Sequence, residues 1–504
     1  MVQNIHVYNS LTGAKEPFIP IENGKVGMYC CGPTTYNYIH IGNARPLVVF
    51  DSIRRYLIYL GYDVTFVSNF TDVDDKIIDR AAVEGEEPKA LADRYIAEFF
   101  PDADALGNMR ADAYPKVSEH MPEIIAFVDA LIDKGKAYEI DGDVYYSVAA
   151  FGSYGKLSKR SREDLLDGAR VDVDQRKRDP ADFALWKSSK PGEPAWDSPW
   201  GKGRPGWHIE CSAMSHKYLG ESFDIHGGGA DLIFPHHENE IAQSEGRFGR
   251  EMAKYWMHNG FITVNREKMS KSLGNFFLVR EILEQFDGQV MRFYLLSAHY
   301  KSPLDFDDEK LTMAQKSLER LKNSVRAALA VVEAAASKPE STSVSADSES
   351  VIAFKDEIDK AKAAFMAAMS DDFNTALAIA ALFDMARAIN TYIASENQSV
   401  QALGQAAGQL TELSGVLGIE LPDGSDSLGE DDTLLAPLGK LADELGIIPL
   451  DGWSVEAIMD ALITLRQRFR SEKDYAGADR IRDELKALGL MIEDTTQGVR
   501  WRRV

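Results

Sequence analysis

The chain has little cysteine, no surplus of positive charge and no long apolar run, and each shortage narrows what it can be. Three cysteines in 504 residues are too few, and odd in number, for a disulfide framework, so a reducing, cytoplasmic setting is expected. No apolar stretch of about 18 residues is evident, which argues against a membrane span. The opening MVQNIHVYNS lacks the apolar core of a secretion signal. With 56 Lys+Arg against 79 Asp+Glu the formal net charge is −23, so bulk charge does not invite a polyanion and any nucleic-acid face must be local.

At this length the chain should hold about three to four domains. VGMYCC (Val26 to Cys31) reads as a buried strand, followed by the breakers Gly32 and Pro33, a helix from about Gly42, and a second strand in VTFVSNF. Strand, helix and strand in this order form the βαβ unit of a parallel sheet. The segment from Tyr114 to Arg204 breaks that rhythm with helix-like runs and the Pro/Gly/Trp-rich KSSKPGEPAWDSPWGKGRPGW, and reads as an insertion. Beyond Leu311, Ala, Leu, Lys and Glu recur at helical spacing, as in an antiparallel bundle. Ser337 to Ser350 and Leu421 to Thr433 are polar and turn-rich, a long loop and a linker. The last 40 residues hold 10 Lys+Arg against 7 Asp+Glu, a small basic module in an acidic chain. The expected fold class is therefore α/β: a Rossmann-like parallel-sheet nucleotide-binding domain with an insertion, then a helical bundle and a basic C-terminal module.

Cys31, Cys211 and the run FPHHENE (Phe234 to Glu240) supply the two thiols, imidazole and carboxylate that a tetrahedral zinc site needs. His236 and Glu240 are four apart and share a face on a helix; His237 and Glu240 are three apart and do nearly as well, so spacing does not choose between the histidines. Neighbours in a strand point to opposite faces, so only one of Cys30 and Cys31 can face a site; Cys31, at the strand's end, is chosen and Cys30 assigned to the core. His40-Ile41-Gly42-Asn43 opens a helix where backbone N–H groups can meet phosphate. Lys268-Met269-Ser270-Lys271-Ser272 brackets a loop with two lysines three apart, able to close on a triphosphate. Near neither patch is there a G-x-x-x-x-G-K-[ST] loop, so phosphate would be held in another way.

HIGN followed by KMSKS resembles the paired signature of class I aminoacyl-tRNA synthetases. MYCCGPTTYNYIHIGN, FTDVDDKI, GRPGWHIECSAM, FDIHGGGADLIFPHHENEIAQSEG and REKMSKSLGNFF are similar to the cysteinyl-tRNA synthetase family, densely from about residue 5 to 310 and more loosely beyond. The resemblance implies that Cys31, Cys211, His236 and Glu240 hold one Zn2+, which selects His236 over His237. It also implies that Gly32, Thr71, Trp207 and Asp231 surround L-cysteine, and that His40, Asn43, Lys268 and Lys271 are catalytic around ATP and its Mg2+, with Asp231 also counted at the nucleotide. Asn43 departs from the HIGH signature, whose fourth position is often His; an amide can donate to phosphate but cannot carry charge.

On that footing the expected layout is a catalytic domain over 1–113 and 205–260, a connective insertion over 114–204, a KMSKS-bearing fold over 261–310, a bundle over 311–420, a linker over 421–440 and a tRNA anticodon module over 441–504. The implied partners are tRNA(Cys), L-cysteine and ATP, with a monomer and no membrane expected. Two rivals stand beside this reading: a cysteine-activating ligase with an amino-sugar acceptor, and a zinc-stabilised RNA-binding protein without catalysis. The long stretch after KMSKS argues against the first, and the paired HIGN and KMSKS against the second.

Overall fold

The computed structural model describes residues 4–160, 176–264, 267–268, 276–336, 348–395, 398–422, 432–447, 455–495 and 498–503. They fall into two compact units, Met1–Asp423 and Gly424–Val504.

In the first unit an antiparallel hairpin, β1 (His6–Asn9) and β2 (Ala14–Pro17), precedes β3 (Lys25–Cys30), the helix Ile41–Tyr59 and β4 (Asp63–Ser68). Val26, Met28, Tyr29 and Cys30 of β3 are all buried, because a strand of a parallel sheet is covered on both faces. The helix turns Ala44, Val48, Phe50, Ile53 and Leu57 into the core, which makes it the crossover between two parallel neighbours. The insertion supplies the helix Met121–Asp133 and four strands, β5 (Ala137–Ile140), β6 (Asp143–Tyr146), β7 (Phe183–Ser188) and β8 (Gly203–Pro205).

After the insertion come the helix Trp207–Leu219, β9 (Phe223–Gly229), the helix Glu238–Phe248, β10 (Ala253–Asn259), β11 (Ile262–Val264), β12 (Glu267–Lys268) and β13 (Leu304–Phe306). The central sheet runs β10-β9-β3-β4, parallel throughout. Its register pairs Cys30 with Ser68 and Gly227, and Gly229 with Asn259. The carboxyl ends of four strands therefore open along one edge, where α/β sites gather.

The insertion differs from its sequence reading, since β5-β6-β7-β8 form an antiparallel sheet, whose Tyr146, Leu185 and Trp186 share a core with Ile124 and Phe127 and with Ile209, Met214 and Ala242 of the flanking helices. Strands this short, with a register shift between Val144 and Tyr145, carry too few alternations to be read as strands from sequence. Four long helices follow, Asp308–Ala336, Glu349–Ser370, Thr375–Ile393 and Val400–Val416, packed through residues such as Leu321, Phe365, Leu382 and Leu410. Thr375–Ile393 corrects the expectation that no stretch is apolar enough to cross a membrane, having both the length and a mean hydropathy of 1.3. Its buried Ile379, Leu382, Met385 and Ile389 account for that composition as bundle core. The polar stretches expected at 337–350 and 421–433 lie mostly outside the described residues.

The second unit has the helices Asp432–Glu444, Val455–Ser471 and Tyr475–Ala487 and the antiparallel pair β14 (Leu490–Thr495) and β15 (Gly498–Arg503). Leu438, Ile458, Leu462, Ile481 and Leu490 form its core, with Trp501 packed against it.

One buried side chain ties the first unit together. Arg292, fully buried, donates to the carbonyls of Leu417 at 2.7 Å and Leu106 at 3.1 Å and pairs with Asp51 of the Ile41–Tyr59 helix. Arg292→Met removes these bonds but leaves Asp51 paired with Arg55 and accepting from Met109 N–H, so it should cost about 2 kcal/mol. A lower denaturation midpoint is the expected reading; an unchanged one contradicts the assignment.

Candidate functional site

The strand ends border a cleft of ≈ 380 Å³. Its floor begins where β3 stops. Gly32 follows Cys31 there, and a Cβ on Gly32 would lie 1.7 Å from the carbonyl oxygen of Asn69, so only glycine lets the two strand ends come this close. Gly32 N–H donates to Asn69 Oδ1 at 3.0 Å, and Cys31 N–H donates to Gly227 O at 3.2 Å. Cys31 is fixed by a main-chain carbonyl on one side and the Asn69 side chain on the other.

Cys211 sits one turn into the helix Trp207–Leu219, and His236 and Glu240 flank the start of Glu238–Phe248. The regular α-helix starts at Glu238, after a kink at Phe234, whose backbone is extended (φ −138°, ψ 131°). Even so, His236 Nε2 lies 3.1 Å from Glu240 Oε1. Cys31 Sγ lies 3.7 Å from Cys211 Sγ and 3.5 Å from Glu240 Oε1. The four ligand atoms lie within 4.8 Å of one another, and so do those of a second set, Cys31, His226, His237 and Glu240.

A tetrahedral ion with metal–sulfur bonds of about 2.3 Å spaces two thiolates about 3.8 Å apart. The Cys31–Cys211 separation fits that geometry. The first set contains both thiols, and Cys31, Cys211 and His236 line the cleft. In the second set the ring of His237 is engaged by His258, Nδ1 to Nε2 at 2.8 Å, and His226 Nε2 holds Glu240 Oε2 at 2.9 Å. Those histidines brace the cluster from behind.

The electrostatics match the donor set. A hydrogen bond from Cys31, aided by His236 and opposed by burial and by Glu240, brings the Cys211 thiol down to about 6. Burial, then Cys211, pushes Cys31 well up. Burial works against charge on His236, yet the negative charges of Glu240 and Cys211 raise it to about 10. Glu240, although buried, is held well below the usual carboxylate range by His226 and His236. Four groups that could all be neutral are held in a partly charged state, which a cation can exploit.

On the cleft wall Trp207 stands beside the His236 ring, centroids 4.3 Å apart. Thr71 Oγ1 donates to Glu210 Oε2 at 3.2 Å, and burial, then Cys211, pushes Glu210 well up. Asp231, on a short turn after β9, also lines the cleft. Across it lies the start of the Ile41–Tyr59 helix, where His40 and Asn43 cap each other: His40 Nδ1 accepts from Asn43 N–H at 3.3 Å and Asn43 Oδ1 accepts from His40 N–H at 3.2 Å. The cap engages the amide oxygen of Asn43, so its NH2 group is the part suited to an anion. Pro46, inside the helix, has no N–H to offer the carbonyl of Gly42.

The structure thus brings Cys31, Gly32, His40, Asn43, Thr71, Trp207, Cys211, Asp231 and His236 to one cleft, with Glu240 against its floor. Lys268 lies in β12, and Lys271 lies outside the described residues. Sequence reasoning missed Asn69, Glu210, His226, His237 as a brace, and the wall Asn259, Gly260 and Phe261. Their partners are distant in sequence and belong to no local motif; only the unusual density of histidine from His208 to His258 gave a signal.

Three family descriptions match the chain: "tRNA synthetases class I (C) catalytic domain" over residues 17–316, "DALR domain" over 364–422 and "Cysteinyl-tRNA ligase anticodon binding domain" over 454–502. A protein of Pelotomaculum thermopropionicum named cysteine--tRNA ligase is 58% identical over 504 residues, covering 99% of this chain and 100% of that one. One of the same name from Heliobacterium modesticaldum is 57% identical over 505 residues, with the same coverage. Among solved structures, Mycobacterium tuberculosis methionyl-tRNA synthetase in complex with methionyl-adenylate superposes with a TM-score of 0.62 at 15% identity, over 84% of this chain and 96% of that one. That likeness concerns the fold.

The close approach at Gly32 carries a direct test. Gly32→Ala should lower unfolding free energy by at least about 2 kcal/mol through forced displacement of Asn69. Gly27→Ala in the preceding strand β3, where the nearest atom to a Cβ is at 3.4 Å, serves as the mild control. Equal effects at both positions would contradict the packing argument.

Proposed function

The chain belongs to the cysteine--tRNA ligase family of class I aminoacyl-tRNA synthetases, and from that premise we propose how its cleft performs the reaction. The protein is an aminoacyl-tRNA synthetase that joins L-cysteine to ATP, releasing diphosphate, and passes the cysteinyl group to tRNA(Cys) with release of AMP. The observation that carries this reading is the convergence of the two thiols, His236 and Glu240 on the floor of a cleft whose opposite wall is a capped helix start. The amino-sugar reading has no such support: relatives named cysteine--tRNA ligase match over the whole chain, and an anticodon-binding description covers 454–502.

In this proposal Cys31, Cys211, His236 and Glu240 hold one Zn2+, which when bound supplies a soft Lewis acid that favours a thiolate over a hydroxyl. His226 orients Glu240, and Trp207, tilted against the His236 ring, closes one side. Discrimination of cysteine from serine then rests on a polar, metal-specific contact and can exceed the roughly 10–200-fold that shape gives for one methylene. Asp231 is set to accept from the substrate ammonium, and Thr71, held by Glu210, to bound the amino-acid end.

Attack of the cysteine carboxylate on the α-phosphorus of ATP needs placement and charge stabilisation more than covalent help. The N–H groups at the start of the Ile41–Tyr59 helix, His40 and the amide of Asn43 are assigned to the phosphates, together with Lys268 and Lys271. Mg2+ arrives with ATP and needs few protein ligands of its own. The unit Gly424–Val504 is assigned to the tRNA anticodon. A monomeric, cytoplasmic protein completes the proposal, since three cysteines are too few for a disulfide framework.

Two experiments check these assignments. The purified protein should carry about one zinc per chain, and Cys211→Ser should lower both metal content and affinity for cysteine by about ten-fold or more; a variant retaining full metal content contradicts the ligand set. Removing residues from Gly424 onward should leave cysteine-dependent ATP–diphosphate exchange within about two-fold of the full chain while cutting tRNA charging strongly. Equal charging by the truncated protein would take the second unit out of tRNA binding.

A further inference from the structure

Arg45 stands two residues beyond Asn43 on the helix Ile41–Tyr59 and is fully buried. Its guanidinium donates to main-chain carbonyls alone: Gly260 O at 2.8 Å, Phe261 O at 2.9 Å, His299 O at 3.4 Å and Ser302 O. Among the described residues no carboxylate forms an ion pair with it, and burial lowers its pKa to about 10. A buried cation that serves four carbonyl dipoles in place of one anion is a costly way to add stability. It is an effective way to fix backbone, because the planar fork has five donors in set directions.

What it fixes is the stretch of cleft lining joined to its own helix. Gly260 and Phe261 follow the carboxyl end of β10 and line the cleft, and Phe261 is 36% exposed there. The wall has no slack. A Cβ on Gly260 would lie 2.6 Å from Lys301 O and 2.7 Å from Ser302 O. Gly260 N–H donates to Tyr300 O at 2.8 Å, and Leu304 N–H to Phe261 O at 3.0 Å. The same 299–302 segment is gripped from the other side by buried Asp372, whose carboxylate accepts from Tyr300 Oη at 2.8 Å and pairs with Lys301 Nζ at 3.1 Å. Asp372 itself has φ 64°, a left-handed conformation unusual for a residue with a side chain. One side chain therefore spans from the helix that carries His40 and Asn43 to the wall that carries Phe261, and the separation of the two follows from its length.

We propose that Arg45 is a positioning residue for ATP: it sets the distance between the capped helix start and the Gly260–Phe261 wall, and with it the fit of the nucleotide between them. The inference rests on the ligase reading above. Cysteine, assigned to the floor formed by Cys31, Cys211 and His236, lies outside its reach. Neither the thiols nor the imidazoles of the metal cluster touch Arg45 in any hydrogen bond.

The test is cysteine-dependent ATP–diphosphate exchange by the full chain, with KM measured for each substrate. Arg45→Lys keeps the charge but replaces the planar fork with a point donor. It should raise KM for ATP about ten-fold or more while KM for cysteine stays within about two-fold and zinc content is unchanged. Phe261→Leu, a change at an exposed side chain, should move KM for ATP in the same direction by a smaller factor. An unchanged KM for ATP in Arg45→Lys, or equal rises for ATP and cysteine, overturns the proposal. Should Arg45→Lys fail to fold, Phe261→Leu decides, and an unchanged KM for ATP overturns it. Absence of exchange in the unaltered protein would instead count against the ligase reading, so the two failures are distinguishable.

Discussion

Two thiols, a carboxylate and an imidazole gathered within 4.8 Å and largely out of water form the constraint around which the first unit is arranged. Such a cluster is tolerable only if charge meets charge, since an unpaired buried ion costs several kcal/mol. The chain meets the demand from three directions. The end of β3 delivers Cys31, the helix Trp207–Leu219 delivers Cys211, and the kinked turn with the helix after it delivers His236 and Glu240. Each of these elements has one end at the carboxyl edge of the parallel sheet, so the sheet register is what makes the cluster possible.

The supports behind the cluster serve the same end. His226 on Glu240, His258 on His237, and Asn69 against Gly32 lock rotamers that would otherwise be free, and a donor set locked in this way is selective in geometry as well as in charge. The nucleotide side follows a different logic. There the groups are backbone N–H at a helix start, a reciprocal cap and a wall stitched by Arg45, all dipoles and hydrogen bonds with few fixed charges of their own. In the proposed reaction a strongly charged substrate would meet this oriented polar surface, with Lys268, Lys271 and the metal that travels with ATP assigned to supply the charge.

Much of this was legible in the sequence, for physical reasons that can be named. The βαβ start was readable because β3 and β4 are short apolar runs and the stretch between them is apolar and long enough to be a helix, which the structure buries on nearly all sides. Cys31 was separable from Cys30 because strand neighbours point opposite ways, and Cys30 is core. Spacing could not separate His236 from His237, and the reason is now visible: at i,i+4 and i,i+3 both rings lie near Glu240 Oε1, at 3.1 Å and 3.9 Å. The antiparallel sheet of the insertion was hidden by strands of three to six residues. Arg45 was hidden too, because its partners are carbonyls 215 to 257 residues away, and main-chain acceptors leave no trace in side-chain identity.

The most direct measurement of the central claim is cysteine-dependent and serine-dependent ATP–diphosphate exchange in metal-depleted protein before and after zinc is restored. The account predicts that exchange with cysteine rises in proportion to zinc bound while exchange with serine stays near background throughout. Full cysteine-dependent exchange by protein without metal would contradict it.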